Sequence, residues 1–171
     1  MKYRDDRSDA VRCWLFVILL LLSGTCVCAG AFRPAQAAGA PNPLGESNII
    51  SITVGNKTFR AVVADTEPAR IRGLLGWDRI SEETGMLLDF IVEGAYAIHM
   101  QGMKFPIDAI WIDSKGVIQW RYEDIQPNTG QVFPSMFPSR YCLEVAAGFC
   151  RKFEVKVGDK VIFAPVGQLT R

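Results

Sequence analysis

A chain of 171 residues, 49% of them apolar, with a formal net charge of +1, is one domain's worth of sequence plus a leader. It has no run of five or more basic residues, and its aromatics are not interleaved with Lys and Arg, which argues against nucleic-acid binding. A single histidine and the lack of any Cys-x-x-Cys pair argue against a zinc or iron site.

The N-terminus reads as a targeting segment. Lys2, Arg4, Arg7 and Arg12 give a basic start, and Cys13 to Ala31 is almost continuously apolar. Pro34 then breaks the pattern before Ala35-Gln36-Ala37, a small-x-small cleavage signal. The expectation is a signal peptide over 1–37, cut after Ala37, or else an uncleaved anchor, since the apolar run nears the roughly 20 residues that span a bilayer. The mature protein is then exported, to the periplasm or beyond, or held facing outward by that segment, its one route to a membrane. Residues 38–47 are mostly Pro, Gly, Ala and Asn with little to bury, and read as a flexible tether.

The domain proper begins at residue 48. Ile50, Ile52 and Val54 alternate as one face of a strand, Gly55-Asn56 makes a hairpin turn, and Lys57 to Ala64 returns as a second strand. Asp65 or Thr66 can cap a helix with Pro68 in its first turn and Glu67 at the positive end of its dipole. Ile71, Leu74 and Leu75 form its expected buried stripe, Arg70 and Arg72 lie on its flanks, and Gly76 ends it. Gly85 to Phe90 is the next strand.

The stretch Ala97 to Asp113 organises the rest. Ile98 and Met100 share one face of a strand that Gly102 and Pro106 interrupt, and a further strand runs from Ile107 to Ile112. Asp108 falls on the same face as Ile110 and Ile112, where a carboxylate is costly unless paired or hydrogen-bonded. The expected partner is Arg70, Arg72 or Arg140; the pair would either only fix strand register or leave one arginine free to hold a ligand carboxylate or phosphate. Asp113 to Gly116 turns the chain into a strand from Val117 to Tyr122. Residues 125–138 hold three prolines and read as a long loop, with Phe133, Met136 and Phe137 either closing over the sheet or forming a partner lip. Arg140 to Val145 is a strand, Ala147 to Phe153 a short helix with Phe149 above Phe153, and Lys160 to Phe163 the last strand. Many short strands with turn signals between them suggest a mainly β domain with two short helices, a compact antiparallel β-sandwich or partly open barrel.

Three ordered motifs give the chain a resemblance. They are Asp65-Thr66 with Arg70-x-Arg72-Gly73-Leu74 and Gly85-Met86-Leu87; Met100-Gln101-Gly102-Met103-Lys104-Phe105-Pro106-Ile107-Asp108; and Arg140-Tyr141-Cys142-Leu143-Glu144-Val145 with Ala147-Gly148, closing on Val157 to Val161. Together they resemble the prokaryotic domain of unknown function 192 family over nearly all of Asn48 to Phe163. His99 stands where that family often has tryptophan, and Gln101 where lysine or arginine is usual. The resemblance implies a jelly-roll-like β domain and no reaction.

The chemistry on offer is sparse. His99 is the only histidine and lacks a recognisable triad partner, so no catalytic residue is assigned and no cofactor is implied. His99, Met100 and Met103 could offer soft ligands to Cu(I), against the alternative that the methionines fill the core. Cys142 and Cys150 survive leader removal and could pair in an oxidising compartment or lie buried as small hydrophobes. The reading is an exported binding or accessory module. The alternatives are an envelope enzyme acting on a small polar substrate through Asp108 and an arginine, and a copper carrier.

Overall fold

The computed structural model describes residues 48–165. The expected signal segment over 1–37 and tether over 38–47 lie outside the described residues. Strands β1 (Ile49–Val54) and β2 (Lys57–Ala64) pair antiparallel across the Gly55-Asn56 turn. Gly55 has a φ of 58°, and a Cβ there would lie 3.0 Å from the Phe153 carbonyl oxygen, so the turn requires glycine.

Helix α1 (Glu67–Arg72) starts as expected. The Thr66 side chain accepts the Ala69 N–H at 3.4 Å, and Pro68 sits in the first turn. It ends earlier than the spacing predicts, at Gly73 rather than Gly76. Gly73 takes a positive φ of 48°, and the turns that follow bond Leu75 N–H to the Arg72 carbonyl and Trp77 N–H to the Leu74 carbonyl. The expected stripe is therefore broken. Leu74 and Trp77 are buried beyond the helix, while Ile71 is 68% exposed.

Strand β3 (Thr84–Gly94) runs parallel to β2, from Arg60 opposite Thr84 to Ala64 opposite Leu88. The crossover through α1 makes this possible, because parallel neighbours cannot be joined by a tight hairpin. The remaining elements are β4 (Ala97–His99), β5 (Ile107–Ile112), β6 (Ile118–Ile125), β7 (Val132–Pro134), β8 (Ser139–Ala146), α2 (Phe149–Lys152) and β9 (Val161–Pro165).

Seven strands form one sheet in the order β6-β5-β8-β3-β2-β1-β9. The sheet curls until its edges meet. Val117 bridges Lys160, and Val161 N–H donates to the Gly116 carbonyl at 2.8 Å. The interior of this curl is filled by Ile52, Phe59, Leu87, Ile110, Leu143 and Phe149, among others. The T-shaped Phe59–Phe149 pair and the tilted Phe149–Phe153 pair anchor α2 across the opening. The outer face is also apolar, through Val62, Met86, Leu88, Ala109, Trp111 and Cys142. It is covered by Leu74, Trp77 and the second layer, the two-stranded β4–β7 ribbon. Both faces of the central strands are thus buried, and every residue of β5 is inaccessible.

The stretch 125–138 is less of a loop than its prolines suggest, since β7 pairs with β4 within it. Phe133 packs edge-on to Tyr122, whereas Met136 and Phe137 stay exposed. The chain closes over the sheet at one point and shows an apolar lip at the next.

Of the two forms expected for the cysteines, the disulfide between Cys142 and Cys150 is not formed. Cys142 and Cys150 are free, buried thiols, Cys142 in the outer layer and Cys150 in the interior. Residue 142 faces the ribbon and residue 150 faces the curl, so the sheet itself separates them.

Candidate functional site

Asp108 is fully buried on β5, on the interior side with Ile110 and Ile112. Its partner is not an arginine. Oδ1 accepts the Asp124 N–H at 2.8 Å and the Gly148 N–H at 3.1 Å, and Oδ2 accepts the Cys150 N–H at 2.8 Å. Converging backbone amides do for this carboxylate what a guanidinium was expected to do. Asp108 therefore ties β5 to β6 and to the start of α2, and it does not reach a ligand.

Arg140 is committed elsewhere. Its Nε and Nη2 each donate to Asp89 at 3.0 Å in a two-pronged pair, which holds the guanidinium pKa above its ordinary value. The same side chain lies 4.8 Å from the Tyr141 ring. Arg70 and Arg72 remain together, and neither forms an ion pair among the described residues.

Both arginines line a cavity of about 320 Å³ between α1 and β4. One wall is Arg70 to Leu75. The other is Ala97 to His99 with Gln101 and Met103, and Leu88 and Phe90 of β3 form the back. Arg70 is held in place by Nη1, which donates to the Asp65 and Asp89 carbonyls at 2.8 Å each, and it lies over the Phe90 ring. Arg72 is exposed at the rim.

Glu144 closes the cavity from below. It sits on β8 between Met86 of β3 and Ala109 of β5, and it is 7% exposed. Its Oε2 is buried with no hydrogen-bond partner among the described residues. Burial alone pushes its pKa up to about 7, because no cation offsets the cost of desolvating the charge. A buried, unpartnered carboxyl at the bottom of a cleft is the arrangement in which a ligand group completes the hydrogen bonding.

His99, Met100 and Met103 differ in exposure. Met100 is buried in the outer core, whereas His99 is exposed and its Nδ1 accepts the Gln101 N–H at 3.3 Å. Among the described residues, no cluster of three or more His, Cys, Asp or Glu side chains is placed to hold a metal ion.

The family model for the domain of unknown function 192, described as "Uncharacterized ACR", matches residues 50–163. The chain belongs to that family. In this domain of unknown function 192 member, all three resemblance motifs converge on the cavity. The first gives Arg70, Arg72, Gly73 and Leu74, the second Gln101 and Met103, and the third Glu144.

Two crystal structures share the fold. One is a Sinorhizobium meliloti 1021 protein titled a "putative transcription regulator", 24% identical, with a TM-score of 0.64 over 70% of this chain and 98% of that chain. The other is a protein of unknown function from Novosphingobium aromaticivorans DSM 12444, also 24% identical, with a TM-score of 0.66 over 82% of this chain and 99% of that one. No curated protein matches.

Glu144 is the site residue that the sequence reading passed over. It was legible by the argument applied to Asp108, since it shares a strand face with the apolar Cys142 and alternates with Leu143 and Val145 on the other face. What hid it was treating that strand as one-sided. When both faces of a strand are buried, an acid on either face is informative.

Proposed function

We propose that the domain is a binding module for a small organic molecule held in the cavity between α1 and β4. The observation that carries this reading is the Glu144 carboxyl, buried and without a hydrogen-bond partner among the described residues, opening into an apolar cleft whose wall holds the Arg70 and Arg72 guanidinium groups, neither of them in an ion pair among those residues. Leu74, Leu75, Leu88 and Met103 would receive an apolar body, and Arg70 and Arg72 would receive a carboxylate, sulfonate or phosphate at the mouth. An Asp108-based enzyme gains no support, because Asp108 is sealed on the other side of the sheet. The leader pattern supports an exported module, which cell fractionation of the full chain would test: recovery of residues 1–37 intact in a cytosolic fraction would refute it.

The binding reading is tested with 8-anilinonaphthalene-1-sulfonate, whose rings and sulfonate match the walls and mouth. Saturable binding at one site per chain is expected. Ala97→Trp, which fills the mouth from an exposed strand position, and Arg72→Ala should each weaken it about tenfold or more, or roughly 1.4 kcal/mol. Unsaturable binding, or binding unchanged in both variants, would refute the cavity as the site.

A further inference from the structure

We infer that the floor of the cavity is an ammonium subsite, in which Glu144 receives the protonated primary amine of a ligand whose apolar chain runs toward the mouth. This rests on the binding-module reading and specifies its inner end.

The floor is built of acceptors. No donor among the described residues reaches Glu144 Oε2. Gly73 lies directly beside it: a methyl on Gly73 would sit 3.8 Å from that oxygen and 3.6 Å from the Arg70 carbonyl oxygen. The absence of a side chain at Gly73 thus leaves one space faced by a carboxyl and a carbonyl. An ammonium brings three hydrogens and a charge to that space, whereas a hydroxyl brings one hydrogen and a carboxylate none.

Energetics select the same head group. Any ligand that fills the cleft excludes water from Glu144. A neutral head then leaves the carboxyl protonated or bears the cost of a buried, unpaired charge. A cationic head offsets that cost, because the two charges attract strongly in a low-dielectric site and the ammonium hydrogens bond the carboxylate and the Arg70 carbonyl.

The other charged groups around the floor do not supply this cation. Arg70 is turned to the Asp65 and Asp89 carbonyls, and Arg72 and His99 are exposed at the rim with Glu67. Asp89 on β3 is paired with Arg140. On Glu144's own strand, Cys142 is fully buried and its thiol pKa is raised well above the ordinary value, so it stays neutral. A ligand with an ammonium at depth and an anion at the rim, its charges separated by an apolar chain, meets every feature of the cleft. A short peptide and an ω-amino acid both have that form.

The test is calorimetric titration of the full chain with hexylamine, hexanamide and hexanoate. Hexylammonium should bind best, and its affinity should rise about tenfold from pH 6 to pH 8. A carboxyl titrating near 7 is roughly one-tenth ionised at the first pH and about nine-tenths at the second. Glu144→Gln should lower hexylammonium affinity about tenfold or more and abolish the pH dependence. If hexanamide or hexanoate binds as well as hexylammonium and Ala97→Trp blocks it, the cavity stands and the ammonium subsite falls. If none of the three binds and the sulfonate dye also fails, both readings fall. Hexylammonium binding that ignores pH, or survives Glu144→Gln, overturns the subsite alone.

Discussion

The Asp108 carboxylate and the Cys150 amide are joined across the interior by a hydrogen bond of 2.8 Å, spanning 42 residues of sequence. With the Asp124 and Gly148 amides on Oδ1, this bond fixes where α2 begins and holds the irregular stretch of β6 between Tyr122 and Ile125. Asp108→Asn keeps the shape but turns one acceptor into a donor that faces N–H groups. A loss of about 2–3 kcal/mol is expected from the weakened charge-assisted bonds and the donor left unpaired. Urea unfolding checks it, and dye binding should persist in the folded variant because Asp108 lies on the side of the sheet away from the cavity. Unchanged stability would contradict the account of Asp108 as a structural tie.

Glu144 makes a different prediction, with the opposite sign from an ordinary paired carboxylate. Its folded pKa is raised to about 7 from 4.5. Between these values the native state holds a proton that the unfolded state has released, so its contribution to stability falls as pH rises through this window. The full penalty is present above pH 7, and at 1.36 kcal/mol per unit it amounts to about 3 kcal/mol. Glu144→Gln, which carries no charge, should match the wild type near pH 4 and exceed it in stability at pH 8. Denaturant midpoints at the two pH values measure the difference.

Arg140 and Asp89 meet in two parallel hydrogen bonds at a half-buried position, with side chains 33% and 15% exposed. Asp89 Oδ1 also accepts the Ile91 N–H at 2.8 Å, which supports a non-glycine residue at a φ of 71° in the bulge of β3. Arg140→Lys keeps the charge and loses the fork. The expected cost is about 1 kcal/mol, discounted for partial exposure to solvent. A double-mutant cycle with Asp89→Asn reads the coupling, and additive effects would show that the pair contributes nothing.

Gly85 lies where β3 passes the interior aromatics. A Cβ there would come within 2.8 Å of Phe59 Cε2 and 3.2 Å of the Glu144 carbonyl oxygen. Gly85→Ala should cost about 1–3 kcal/mol by overpacking, measured by thermal or urea unfolding.

Much of the architecture was written in local chemistry. The Gly55-Asn56 hairpin, the Thr66 cap and the run from Ile107 to Ile112 depend on neighbours in sequence, and they were readable for that reason. The parallel pairing of β2 with β3, the seam between Val117 and Lys160 and the short strand β7 depend on residues far apart, which periodicity does not register. The early end of α1 followed from two glycines competing for one role: Gly73 took the positive φ before Gly76 was reached. The site was half legible for a similar reason. Arg70 and Arg72 stood out as flanking charges. Asp108 stood out on its apolar face while Glu144 did not, and only the fold shows that amides surround one and an open cleft faces the other.

The most direct measurement is a carbon-13 NMR titration of the glutamate side-chain carboxyls in the folded protein. One resonance, absent in Glu144→Gln, should titrate near pH 7 and shift to a lower midpoint when hexylamine is added. If every glutamate carboxyl titrates in the ordinary range between about 4 and 5, Glu144 is hydrated or paired, and the cavity does not have the floor described for it.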